Sequence, residues 1–166
     1  MPGGAPLTAV RVRPATASDR DFIHDVVPRL RAFGAPPLRP AAALDDAERR
    51  ALERALATPR EDATLLVADL DGHGAAGVAY AETGIDYFTG ERHGHLAIIA
   101  VAEAGEGQGV GRALLGAVER WASEHGYRFL TLNVFAENAR ARHVYERAGY
   151  APDTIRYFKE LGTDGS

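Results

Sequence analysis

The amino-acid sequence predicts a mixed α/β (α+β) domain, and three observations predict it. Apolar residues alternate with a period of two in some stretches, recur at helical spacing in others, and the two kinds of stretch interleave along the chain. A length of 166 residues suits one hydrophobic core, since single domains usually run to about 100–200 residues. Hydrophobic and charged fractions of 46% and 25% are ordinary for a globular protein, and no run of about 18 apolar residues offers a membrane span. These features lead us to expect a soluble, cytoplasmic protein.

Val10 and Val12 alternate with Arg11 and Arg13 and stop at Pro14, which reads as a first strand. Thr16 and Asp19 stand at capping-box spacing, and Phe22, Ile23, Val26, Val27 and Leu30 then make a helical stripe. Gly34, Pro36, Pro37 and Pro40 make residues 33–40 a loop, because proline lacks the amide a helix needs. Asp45 and Asp46 open a second helix with Ala47, Ala51, Leu52, Ala55 and Leu56 inward, closed by Pro59. Residues 64–70 and 75–87 read as a hairpin about Asp71-Gly72. Residues 95–101 form a nearly continuous apolar run, as a central strand covered on both faces requires. A helix over 109–125, a strand over 129–134, a helix over 139–148 and a last strand near 155–161 complete the order β-α-α-β-β-β-α-β-α-β, with no repeat and no linker.

Composition removes whole classes of chemistry. Without cysteine there is no disulfide, thiolate zinc site or cysteine nucleophile. The net charge is −4, Lys159 is the only lysine and the arginines are scattered, so no nucleic-acid partner is expected and a cationic substrate is the more natural one. His93 and His95 alone are too few ligands to hold a metal, so none is expected. The only serines, Ser18, Ser123 and Ser166, lie outside any nucleophile elbow, which argues against a covalent acyl-serine route. Pro2, Gly3, Gly4 and Pro6 read as a flexible leader and not as a signal peptide.

The most informative stretch joins the apolar strand to the next helix: Gly105-Glu106-Gly107-Gln108-Gly109-Val110-Gly111-Arg112-Ala113-Leu114-Leu115. Glycines allow positive φ and close approach of a ligand, while a helix start offers unpaired amides and a partial positive charge. Together they make a phosphate cradle. Arg112-Ala113 after Gly111 replaces the Lys-Ser/Thr of a P-loop. Gly-x-Gly-x-x-Gly fails as well, because Arg112 or Val110 falls in its third glycine position. A nucleotide-dependent oxidoreductase is thereby disfavoured.

The spacing does resemble the pyrophosphate-binding turn of the GCN5-related N-acetyltransferases (GNAT), Gln/Arg-x-x-Gly-x-Gly/Ala before an amphipathic helix. Asn138, Ala141, Tyr145 and the closing Ala148-Gly149-Tyr150 resemble that family's second signature, and the two motifs together span residues 96–150. Glu106 departs from the pattern by standing where Gln or Arg is usual, and Arg112 is a candidate to offset its charge. The resemblance implies a single N-acetyltransferase domain over 9–162 between a leader, 1–8, and a tail, 163–166. Its sheet would be mixed and mostly antiparallel, flanked by helices, with splayed central strands.

The same resemblance implies acetyl-CoA as cosubstrate and transfer of its acetyl group to a primary amine of a small molecule or peptide. An acyl-CoA-binding sensor without turnover is the alternative, and family members are commonly dimers, so a homodimer is an expectation. The coenzyme would meet Ile99, Ala100 and Val101 along the strand, with the Ala100 amide facing the acetyl carbonyl. It would also meet Gly107, Gln108, Gly109, Val110, Gly111 and Arg112 at the turn, and Asn138, Ala141 and Tyr145 further on. Asn138 is equally suited to cap its helix. Tyr145 would be the proton donor to the leaving thiolate, since a phenol of pKa about 10 can serve one of about 8.5. The family's strand glutamate is missing, with Ala97 in its place. His93 and His95, on one strand face, are then candidate bases or a solvent-facing strand entry, and Glu82, Asp86 and Glu91 are carboxylate alternatives that could instead attract a cationic substrate. The acceptor would be shaped by residues 33–44 and 86–93, with Tyr87 and Phe88 as candidates for a pocket wall or, equally, for an interface or the core.

Overall fold

A computed structural model describes residues 8–34, 36 and 38–162. The leader up to residue 7, two positions of the proline-rich loop and the tail 163–166 lie outside the described residues. Contacts divide the chain into two compact units, Met1–Asn133 and Val134–Ser166.

The first unit is built on one sheet whose spatial order equals its chain order: β1 (Val10–Pro14), β2 (Ala63–Leu70), β3 (Gly74–Ile85), β4 (Arg92–Val101) and β5 (Leu130–Leu132). Neighbours are antiparallel from β1 to β4, and β5 runs parallel to β4. That last connection is a crossover through α3 (Val110–Glu124), as a parallel pair demands. The mixed, mostly antiparallel sheet flanked by helices is the fold the sequence predicts.

Helices α1 (Arg20–Val26) and α2 (Ala41–Ala57) cover one face of the sheet. Ile23, Val26, Val27 and Leu52 meet Val67, Val78, Tyr80, Ile98 and Ala100 there in a buried cluster. Burying a side chain the size of Leu52 stabilises the fold by about 1.5–3 kcal/mol. On the other face α3 seats Val110, Leu114 and Val118, all fully buried. Its approach depends on glycine: a Cβ at Gly77 would stand 2.6 Å from Val110 Cγ1, and one at Gly94 would stand 3.0 Å from Ala122 Cβ.

The capping box forms as expected, with the Thr16 amide donating to Asp19 Oδ2 at 2.7 Å. Arg13 then locks β1 to this helix start by donating to both Asp19 oxygens at 2.8 and 2.9 Å and to Asp69 at 2.7 Å. Those bonds hold the buried Asp19 carboxyl below its ordinary pKa.

Several elements differ from expectation, among them a first helix that gives way after Val26 to a 3-10 segment, and a β5 of only Leu130–Leu132. Helix α2 begins at Ala41 rather than Asp45, because the Pro40 carbonyl accepts from the Ala43 and Leu44 amides and proline needs no amide of its own at a helix start. Strand β4 begins at Arg92, since the hairpin ladder with β3 runs out to Ile85 opposite Arg92 and takes in His93. The strand expected near 155–161 does not form: residues 151–162 carry no regular structure, and Ile155, Tyr157 and Leu161 are exposed. Alternation alone cannot hold a strand whose backbone has no ladder partner.

The second unit contains α4 (Ala139–Arg147). Asn138 Oδ1 accepts from the Ala141 amide at 3.1 Å as its N-cap, and Gly149 at φ 96° ends it.

Candidate active site

The site is organised by an irregularity in β4. Tyr80 pairs with Ile98 and Ala81 with Leu96, so Ala97 is an extra residue bulged out of the ladder with β3. Before the bulge, the Asp86 amide donates to the Glu91 carbonyl at 2.8 Å, which sets the phase of the hairpin. By alternation His93 and His95 turn their backbone groups to β3, while Gly94 and Leu96 turn theirs to β5. The Gly94 amide accordingly donates to the Phe129 carbonyl.

After the bulge the phase is fixed again by the Ala102 amide, which donates to the Ala76 carbonyl at 2.8 Å. Ala100, two residues earlier and opposite Val78, therefore bonds to β3. Ile99 and Val101 face the other way, onto an edge that pairs with β5 only as far as Leu96 opposite Leu132. This is the splay expected of the central strands. It also corrects the expectation for Ala100, whose amide is engaged within the sheet and does not face the gap.

Where β4 ends, a single 3-10 turn (Glu103–Gly105) leads into the glycine segment. Gly107 and Gly109 have φ of 69° and 81°, the left-handed region that side chains disfavour, and nothing stands within 4 Å of the space their side chains would fill. Gly109 is the N-cap of α3, and its carbonyl accepts the first helical bond, from Ala113. Among the described residues no acceptor meets the amides of Gly109, Val110, Gly111 and Arg112. Gln108 is the exception in the expected run, because its amide donates to the Gly105 carbonyl at 3.2 Å. An anionic group fits this cradle, with main-chain donors and the positive end of a 15-residue helix facing open space.

On the face shared with α1 and α2, side chains gather at the other end of β4. His95 lies opposite Glu82 on β3, and its Nδ1 is 2.8 Å from Thr131 Oγ1 on β5. Burial, reinforced by His93, lowers the His95 pKa, and Glu82 opposes that shift. His95 is thus neutral at neutral pH, the state in which imidazole accepts a proton. Tyr80 donates to Glu82 Oε2 at 2.8 Å, and burial followed by that carboxylate pushes its phenol up to about 12. Thr131 and Tyr80 were not legible as site residues, because only strand register brings them to His95 and Glu82.

The remaining candidates separate. His93 is buried, stacks on Phe129 at 4.8 Å between ring centres, and has an Nδ1 without a hydrogen-bond partner. Asp86 accepts from the Phe88 and Thr89 amides of its own loop, and Glu91 accepts from Arg128 at 2.7 and 3.0 Å, so neither joins His95. Tyr87 and Phe88 are 91% and 83% exposed, with their rings packed edge to face at 5.2 Å. In the second unit, Tyr145 is half-buried with its ring 5.9 Å from that of Tyr150, and burial raises its pKa. It holds its proton through neutral pH.

A sequence model described as the Acetyltransferase (GNAT) family matches residues 31–150, well over half of the chain. The chain belongs to that family. Among curated relatives, the mycothiol acetyltransferase of Amycolatopsis mediterranei is 40% identical over 63 residues, which is 38% of this chain and 21% of that protein. The match thus spans only about a fifth of that relative's length. Among solved structures, a putative acetyl transferase from Pyrococcus furiosus superposes with a TM-score of 0.73 at 19% identity, covering 92% of this chain and 100% of the other. The aminoglycoside N-acetyltransferase AAC(6')-Iy in complex with CoA superposes with a TM-score of 0.67 at 21% identity, covering 96% and 98%. These likenesses establish the GNAT fold. Among the described residues, no helix is long and apolar enough to cross a membrane, and no three metal-ligating side chains converge.

Proposed function

We propose that this GNAT protein transfers the acetyl group of acetyl-CoA to a primary amine of a small molecule or peptide by direct attack. One observation carries the proposal: the unbonded amides from Gly109 to Arg112 adjoin the edge of β4 that lacks a strand partner, at Ile99 and the amide of Val101. The first group suits a diphosphate, and the second suits an extended amide-bearing arm that adds to the strand edge. The amide facing the acetyl carbonyl is then that of Ile99 or Val101. A relative named for mycothiol and a structural neighbour named for aminoglycosides support a small-molecule acceptor.

In this reading neutral His95 takes a proton from the attacking nitrogen, with Nδ1–H donated to Thr131 and Nε2 as the base. Glu82, held by Tyr80, stabilises the imidazolium that results. The nitrogen bonds to the acetyl carbon, the carbon–sulfur bond breaks, and the Tyr145 phenol protonates the departing thiolate. Ala141 lets the coenzyme pass close, while the capping bond of Asn138 leaves its amide NH₂ for the arm. The family domain over 9–162, a cytoplasmic location and a homodimer belong to the same proposal.

The test is thiol release from acetyl-CoA with a panel of amines, together with a mass gain of one acetyl group on the acceptor. Tyr145→Phe should lower kcat at least about tenfold while the coenzyme Kd stays within about twofold. Tight coenzyme binding with no turnover on any amine, peptide or polyamine would favour the sensor, an alternative supported by Ala97 at the usual base position. A folded protein that ignores acetyl-CoA in calorimetry would remove both readings.

A further inference from the structure

Glu106 places a carboxylate at the head of the turn proposed to take a diphosphate, where like charge should oppose binding. The structure answers this from a distant part of the chain. Arg29, in the 3-10 segment Val27–Arg31 that follows α1, makes an ion pair through Nη2 with Glu106 Oε1. Its Nε donates to the Val101 carbonyl at 3.3 Å. One guanidinium therefore joins the last residue of the unpaired β4 edge to the first position of the glycine turn. Val27, two residues earlier, is fully buried in the core and fixes where the arginine starts. A lysine would have to make both bonds from one nitrogen, whereas the planar guanidinium presents donors on separate nitrogens in fixed directions.

We propose that Arg29 is a positioning residue for the coenzyme: it neutralises Glu106 and holds the Val101 carbonyl, so that the turn accepts a diphosphate despite its acid. The pair takes over a role that would otherwise fall to a polar or basic side chain at position 106. Arg112, the candidate suggested by the sequence, is not the partner that bonds Glu106. This inference rests on the proposed coenzyme site, and the experiment separates the two.

Acetyl-CoA and S-acetylpantetheine, which lacks the diphosphate, are titrated into wild type, Arg29→Ala, Glu106→Gln and the double variant, with thermal melts to verify folding. Arg29→Ala should weaken acetyl-CoA binding about tenfold. The double variant should recover most of that loss, because the acid that needed neutralising is gone. Glu106→Gln, a change at a half-exposed side chain, should bind acetyl-CoA at least as tightly as wild type. S-acetylpantetheine should respond much less to any of the changes. Equal affinity in wild type and Arg29→Ala, or weaker binding in Glu106→Gln, overturns the role of Arg29 while leaving the coenzyme site standing. Loss without recovery in the double variant also overturns it, since a purely structural arginine would behave that way. Failure of wild type to bind acetyl-CoA sinks the proposed function instead.

Discussion

The two halves of β4 share one strand but work with different chemical groups. Up to Leu96 the strand is bonded on both edges, so its backbone is committed and only side chains such as His95 can act. Beyond the bulge at Ala97 it is bonded on one edge, and the side chains of Ile98 and Ala100 sink into the core while the main chain at Ile99 and Val101 turns to the gap. In the proposed reading, side-chain chemistry is therefore confined to the doubly paired half and main-chain recognition to the singly paired half. Mutations should divide the same way, with changes near His95 acting on turnover and changes near the turn acting on coenzyme affinity.

The sharpest test of that division is His95→Ala. Loss of a general base should reduce kcat by about a hundredfold with little change in coenzyme Kd. Because the folded pKa of His95 is lowered, the active neutral form persists below the ordinary imidazole value, and activity falls only as pH drops through the depressed pKa. The wild-type kcat/KM profile should show this acid limb, and His95→Ala should lack it. A variant that keeps full activity would break the comparison. A smaller effect of the opposite type is expected from Gly109→Ala. Forcing a side chain into left-handed backbone costs about 1–2 kcal/mol, so coenzyme affinity should fall about tenfold while the KM for amine stays within about twofold. The smallest is Thr131→Val, which removes the partner of His95 Nδ1. Losing a bond worth about 1 kcal/mol should lower kcat roughly fivefold without affecting coenzyme binding, as steady-state kinetics beside calorimetry would show.

Much of this arrangement was legible in the sequence because it depends on local pattern. The glycines before the helix expected over 109–125 marked both its start and the cradle, since positive φ and helix ends are properties of a few adjacent residues. The bulge was illegible, because Leu96-Ala97-Ile98-Ile99 is apolar whether or not one residue is extra. Expecting the Ala100 amide in the gap therefore failed on hydrogen-bond phase, which only the ladder reveals. Long-range pairs were hidden for the same reason: Arg29 and Glu106 are 77 positions apart, and Thr131 meets His95 only through parallel register. The strand expected near 155–161 failed in the reverse sense, with a suitable pattern and no neighbour to pair with it.

The extra residue at Ala97 has an evolutionary consequence. Its removal would restore strict alternation from Arg92 to Val101 and still leave Ile99 and Val101 on the outer edge. What would be lost is the bend and added twist that a bulge imparts. A one-codon deletion there would retune how widely the two strands diverge, while sparing the outward-facing main chain of Ile99 and Val101.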